Sequence, residues 1–156
     1  MTEALIQALS GQGYNLIIEG TLRTSSVPLK TARLLRDRGY AVSLALMAVK
    51  PEISLISCQI RYEMMRIAGT TPRATDPAHH AKIVHEIAGN LSALEESGLF
   101  DGIVIYNRAA ELLYPLKGCA SASETLQDVL FGPWTPEEEE HYENLGRQLR
   151  DLKATP

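Results

Sequence analysis

The chain has 156 residues, 45% of them hydrophobic and 22% charged, which is enough apolar material for the core of one soluble domain over 1–156. A formal charge of −4, with no Lys/Arg cluster, excludes nucleic acid as a main partner, because phosphate neutralisation needs a basic face. Small anionic ligands stay open, since a few converging arginines suffice for them.

The first nine residues lack a basic start, and polar residues interrupt their apolar positions. They predict a short amphipathic helix over 2–10 and not a signal peptide. No apolar stretch approaches the roughly 20 residues of a bilayer crossing, so no membrane contact and a cytoplasmic location are expected. The helical stripe of Leu5, Ile6 and Leu9 stops at Gly11 and Gly13, which ease the left-handed turn after a helix. Asn15-Leu16-Ile17-Ile18-Glu19 then predicts a short parallel strand covered on both faces. After a polar loop over 20–26, Pro28 opens a helix that carries Ala32, Leu34 and Leu35 and closes at Gly39.

Tyr40 to Val49 is nearly all apolar after the tyrosine and is the strongest strand signal. Pro51 opens the next helix, with Ile53, Ile56, Ile60 and Met64 at helical spacing. Residues 69–76 are rich in Gly, Thr and Pro and read as a mobile loop. Asp76-Pro77 supplies a cap and first position for a long helix to about Ser97, ended by Gly98. Ile103 to Tyr106 is a third strand. Ser121 with Glu124, and Thr135 with Glu138, are two capping boxes that start C-terminal helices. The glutamates 137–140 sit where a helix dipole favours negative charge, and read as a solvated helix start.

Strands alternating with helices argue for a parallel α/β sheet with crossover helices. Ligands of such sheets bind beyond the C-terminal ends of the strands, where Glu19 to Arg23 and the loop of Asn107 and Arg108 would lie. There, Glu19 can accept from a sugar hydroxyl and Arg23 can bind a phosphate, with Thr21 and Thr31 as neighbouring hydroxyls. The competing reading pairs Glu19 with Arg23 as a loop cap, and spacing does not choose between them. Arg61 sits late in its helix and Arg73 in the mobile loop just after it, which suits either a lid that closes on phosphates or ordinary surface arginines.

His79, His80 and His85 place no two imidazoles four apart on one helix face, and no metal site is expected. Cys58 and Cys119 fit no C-x-x-C pattern and read as reduced, buried thiols. No G-x-x-x-x-G-K-[ST] phosphate loop occurs anywhere.

One ordered series of segments is informative. It runs Ile17-Ile18-Glu19-Gly20-Thr21-Leu22-Arg23, Val27-Pro28 with Thr31-Ala32, Arg38-Gly39-Tyr40 and Ala48-Val49-Lys50-Pro51. It continues through Arg61-Tyr62-Glu63, Arg73-Ala74-Thr75, Leu99-Phe100 and Ile105-Tyr106-Asn107-Arg108. From about residue 12 to Trp134 this series resembles the bacterial zeta toxins of toxin–antitoxin systems, with 135–156 left as a C-terminal helix. The resemblance implies a three-layer, P-loop-kinase-like parallel sheet with helices on both faces, truncated at the N-terminus so that the phosphate-loop strand is absent. It implies an ATP- and Mg²⁺-dependent kinase relative that phosphorylates UDP-N-acetylglucosamine, and an antitoxin protein as partner.

By the same resemblance, Glu19, Thr21, Arg23 and Thr31 match sugar-nucleotide-binding positions. Arg61 and Arg73 match catalytic arginines that reach the ATP phosphates, and Asn107 and Arg108 match a loop near the nucleotide base. The family's phosphate-loop lysine, its Mg²⁺-binding hydroxyl and its general-base aspartate have no counterpart here. The chain is therefore expected to bind ATP and Mg²⁺ poorly and to be nearly inactive. Two alternatives stand beside that reading: a non-catalytic module that binds the sugar nucleotide or the antitoxin, and a scaffold whose function has decayed. A missing central strand also predicts that the strands at 15–19 and 41–49 close on each other, or that a second chain fills the slot in a homo-oligomer.

Overall fold

The computed structural model describes residues 2–118 and 120–155, so Cys119 lies outside the described residues; Cys58 is a half-buried free thiol. Among the described residues, six helices and three strands follow in the order α1 (Thr2–Gly11), α2 (Ser26–Asp37), β1 (Ser43–Met47), α3 (Pro51–Ile67), α4 (Pro77–Glu96), β2 (Gly102–Tyr106), β3 (Leu112–Tyr114), α5 (Ala122–Phe131) and α6 (Pro136–Ala154). The α/β class is as expected: a small sheet with helices on both sides.

The sheet order is β1-β2-β3. β1 and β2 run parallel, with Ser43 opposite Gly102 and Met47 opposite Tyr106. The sheet is mixed, not wholly parallel: β3 lies antiparallel to β2, with a register shift at Ile105/Tyr106. Leu44 and Leu46 of β1, with Ile103 and Ile105 of β2, pack against Leu91 of α4 and against Ala122, Leu126 and Leu130 of α5. Leu91, Ile105 and Leu126 are essentially solvent-free. Side chains of this size each contribute about 1.5–3 kcal/mol when fully buried.

The predicted strand at 15–19 is not formed. Residues 12–25 have no helix or strand, Ile17 is 96% exposed and Ile18 is 43% exposed. A strand exists only where its backbone N–H and C=O groups have a paired neighbour, and residues 15–19 pair with none of the three strands; β1 pairs with β2 alone. The expected closure of 15–19 onto 41–49 therefore does not occur. β1 ends the sheet instead, with Ser43, Ala45 and Met47 exposed.

Local signals placed the helices well. Asp76 Oδ1 accepts from the Ala78 amide at 2.9 Å, and Gly98 takes the left-handed φ of 61° after α4. Thr135 and Glu138 form a complete capping box at α6, and the Glu137 carboxyl is held below its ordinary range by its own backbone N–H and the Thr135 hydroxyl. At α5 Ser121 Oγ accepts from the Glu124 amide. A second cap comes from elsewhere: Glu95 of α4 accepts from the amides of Ala122 at 2.7 Å and Ser123 at 2.9 Å. Each such charged hydrogen bond stabilises by about 1.5–3 kcal/mol.

α1 is tied on by polar groups. Arg38 donates to the Gln7 carbonyl and to Gln7 Oε1, both at 2.7 Å, and the Tyr40 hydroxyl donates to the carbonyls of Ser10 and Tyr14.

Arg36 of α2 and Asp101, at the entrance to β2, form an ion pair at 2.7 Å, and Asp101 Oδ2 accepts from the Val42 amide. Arg36 first, and then the Val42 amide, lower the Asp101 pKa. A lowered carboxylate adds stability that is complete above the ordinary aspartate value of about 3.9 and is lost as pH falls through the lowered pKa. Urea melts should show Asp101→Asn less stable than the parent at neutral pH, with the difference shrinking only in strongly acidic solution. A difference that stayed constant from neutral to acidic pH would rule out this ion pair as its origin.

Candidate functional site

β1 and β2 run in the same direction, so their C-terminal ends deliver two segments to one rim of the sheet: Ala48 to Lys50, leading into α3, and the turn Asn107–Ala110 before β3. Asn107 shapes that turn. Its Oδ1 accepts from the amides of Ala109 and Glu111, each at 3.0 Å, and its Nδ2 donates to Glu111 Oε2 at 2.6 Å. Asn107 is thereby committed to the turn, its carbonyl oxygen in the usual Asx-turn role and its amide nitrogen on the Glu111 carboxylate.

Arg108, next in the chain, reaches across to α3, where its Nη1 donates to Ser57 Oγ at 3.0 Å. Ser57 in turn donates to the Ile53 carbonyl at 2.6 Å. One turn further along α3, Arg61 Nη2 lies 3.9 Å from Cys58 Sγ. Residues 57, 58 and 61 are neighbours on a helix surface, so Arg61 and Arg108 bring two guanidinium groups to one stretch of α3. On the same helix His80 Nε2 of α4 lies 3.1 Å from Ser54 Oγ. His79 and His85 are exposed.

A cleft of about 230 Å³ opens beside this stretch, lined by Cys58, Gln59, Tyr62 and Glu63 of α3, Ala74 and Thr75 of the 69–76 loop, and Lys153 of α6. Arg73, exposed, stands next to two of those lining residues. Neither Arg61 nor Arg73 lines the cleft itself, although a chain neighbour of each does.

The sugar-side residues are arranged differently. Glu19, Thr21 and Arg23 are exposed on the irregular segment, and Thr31 is half-buried within α2. No ion pair among the described residues joins Glu19 to Arg23. Between Thr21 and Arg23, Leu22 takes a left-handed φ of 50° and packs against the core, while Asn90 of α4 donates to its carbonyl at 3.0 Å. That anchor fixes the middle of the segment and leaves its flanks in solvent. Asn90 was not foreseen; an amide inside a long amphipathic helix carries no local signal of such a distant contact.

The donor set at α3 suits an oxyanion such as phosphate, since guanidinium groups can bind its oxygens bidentately. Among the described residues, no three His, Cys, Asp or Glu side chains gather to hold a metal ion. Nor is any helix among them long and apolar enough to cross a membrane.

The chain is similar to known proteins. Residues 1–118 match the Zeta toxin family. Toxin PezT of Streptococcus pneumoniae serotype 4 is 45% identical over 154 residues, 97% of this chain and 61% of that protein. Toxin zeta of Streptococcus pyogenes is 43% identical over 133 residues, 83% of this chain and 46% of that protein. A solved chain of the PezAT chromosomal toxin–antitoxin system of Streptococcus pneumoniae superposes with a TM-score of 0.85 at 40% identity, covering 99% of this chain and 61% of that one. The chain spans about three-fifths or less of the length of these relatives.

Proposed function

The chain belongs to the zeta toxin family, and from that premise we propose that it is the acceptor-side part of a toxin kinase related to ATP-dependent phosphorylation of UDP-N-acetylglucosamine. The observation that carries this reading is the superposition of nearly the whole chain on part of a PezAT-system chain. In this reading Glu19, Thr21, Arg23 and Thr31 bind the sugar nucleotide, and Arg61 and Arg73 meet the phosphates of ATP. ATP with Mg²⁺ would supply the transferable phosphoryl group. The chain's own contribution is two arginines whose charge can stabilise that group, beside a loop able to close over it. An antitoxin protein is the expected partner.

A second reading, a non-catalytic module that binds the sugar nucleotide or the antitoxin, draws on the same geometry. Glu19, Thr21 and Arg23 line neither of the two described clefts, so their pocket would need a further wall. The open edge of β1 is one place where such a wall could attach, as an added strand from a second copy or from further sequence.

Calorimetry separates these readings. Under the leading proposal UDP-N-acetylglucosamine binds, and Arg23→Gln weakens it by about tenfold or more, the worth of one charge-assisted hydrogen bond. Binding of neither UDP-N-acetylglucosamine nor ATP would leave a scaffold with decayed function and defeat both.

A further inference from the structure

We propose that Arg108, held by Ser57, is a phosphate-binding residue that acts with Arg61, and that Ser57 is the residue that positions it. This deepens the reading above and rests on it only for the identity of the ligand. The geometry stands independently. Arg108 comes from the β2–β3 turn and Arg61 from α3, and the fold brings both to one turn of α3 at the C-terminal rim of the parallel strands.

Both arginines are exposed, and neither takes part in an ion pair among the described residues. The acids nearest in sequence are already engaged. Glu63 pairs with Arg66 at 2.7 Å, and Glu111 accepts from Asn107 at 2.6 Å. Two exposed guanidinium groups held at neighbouring positions of α3, neither in an ion pair among the described residues, are a place where one anion can meet both.

The ligand class follows from the donors. Arg108 spends one N–H on Ser57 and Arg61 makes a single long contact with a thiol, so most of their ten N–H groups in all remain for a ligand. Paired guanidinium forks fit phosphate oxygens, and adjacent phosphates of a polyphosphate chain suit two forks better than one carboxylate does. Ser57 restricts Arg108 before the ligand arrives, which lowers the ordering cost on binding. This places Arg108 with the phosphate-facing arginines, away from the role near a nucleotide base that the resemblance implied.

The test is calorimetry of the 156-residue protein with inorganic tripolyphosphate. The expected result is binding that weakens with added salt, falls about tenfold or more in Arg108→Gln and in Arg61→Gln, and is unchanged in Arg33→Gln on α2. Ser57→Ala should weaken binding several-fold while Ser57→Thr, which keeps the hydroxyl, retains it. Arg108→Lys should not restore full affinity, because an ammonium lacks the fork. Wild-type affinity in Arg108→Gln, or no tripolyphosphate binding by the parent, overturns the proposal. If tripolyphosphate binds with this dependence and UDP-N-acetylglucosamine does not, the arginine site stands and the acceptor assignment alone fails.

Discussion

Replacing Lys50 by methionine will destabilise the fold by about 2–4 kcal/mol, the cost of stranding buried acceptors that have lost a charged donor. Lys50 is 2% exposed, a rare condition for a lysine. Its Nζ donates to the carbonyls of Gly132 at 2.9 Å and Pro133 at 3.2 Å, and lies 4.0 Å from the Glu138 carboxylate. One ammonium group therefore fixes the α5–α6 connection to the start of α3, and so aligns α6 along α3. Methionine fills similar volume but leaves both carbonyls without a donor and Glu138 without its cation. For a chain of this size each kcal/mol moves the melting temperature by roughly 2–4 °C. A fall of about 5–15 °C is therefore expected in a thermal melt. Lys82→Met, at an exposed position paired at 4.0 Å with Glu86, should stay within about 0.5 kcal/mol of the parent. Equal losses in the two variants would show that burial of Lys50 carries no special weight.

Lys50 also illustrates what a sequence discloses. Ala48-Val49-Lys50-Pro51 is visible as a strand end and helix start, because Pro51 acts locally. That the lysine turns inward to carbonyls 82 and 83 residues away is a tertiary fact with no local sign. The same division runs through the molecule. Asp76, Gly98 and Thr135 mark helix ends by chemistry contained within a few residues, and the helices begin and end close to the expected places. Glu95 capping α5 and Asn90 holding Leu22 act across the fold, and neither was legible.

The strand errors have a physical origin too. Leu16-Ile17-Ile18 has the composition of a strand, but a strand exists only with a hydrogen-bonded neighbour, and composition does not supply one. β3, only three residues long beside a turn built by Asn107, is too short for alternation to register. For the candidate site, the identities of Arg61 and Arg108 are readable in the sequence, but not that both reach one stretch of α3. Arg108 is held to α3 by Ser57, a residue that no motif singles out.

The 156-residue polypeptide, assayed alone with ATP, Mg²⁺ and UDP-N-acetylglucosamine, will transfer phosphate at least about 100-fold more slowly than the roughly 1–100 s⁻¹ usual for kinases. Phosphoryl transfer is driven by positioning and by charge stabilisation around the transferring group. Arg61 and Arg108 offer positive charge, but the chain has no G-x-x-x-x-G-K-[ST] segment to hold the β- and γ-phosphates in line with an acceptor. A general base is itself worth about 10²–10⁴ in rate, and the two carboxylates nearest in sequence to Arg61 and Arg108, Glu63 and Glu111, are already engaged by Arg66 and Asn107. A chimera in which this chain replaces the matched 61% of the pneumococcal relative isolates what the chain contributes. If the acceptor side is intact, the chimera should turn over, and Arg61→Gln or Arg108→Gln within it should lower kcat more than it raises KM, because their charge acts on the transition state. Ordinary kinase turnover by the isolated chain would refute the prediction of inactivity, and a silent but folded chimera would refute the intact acceptor side.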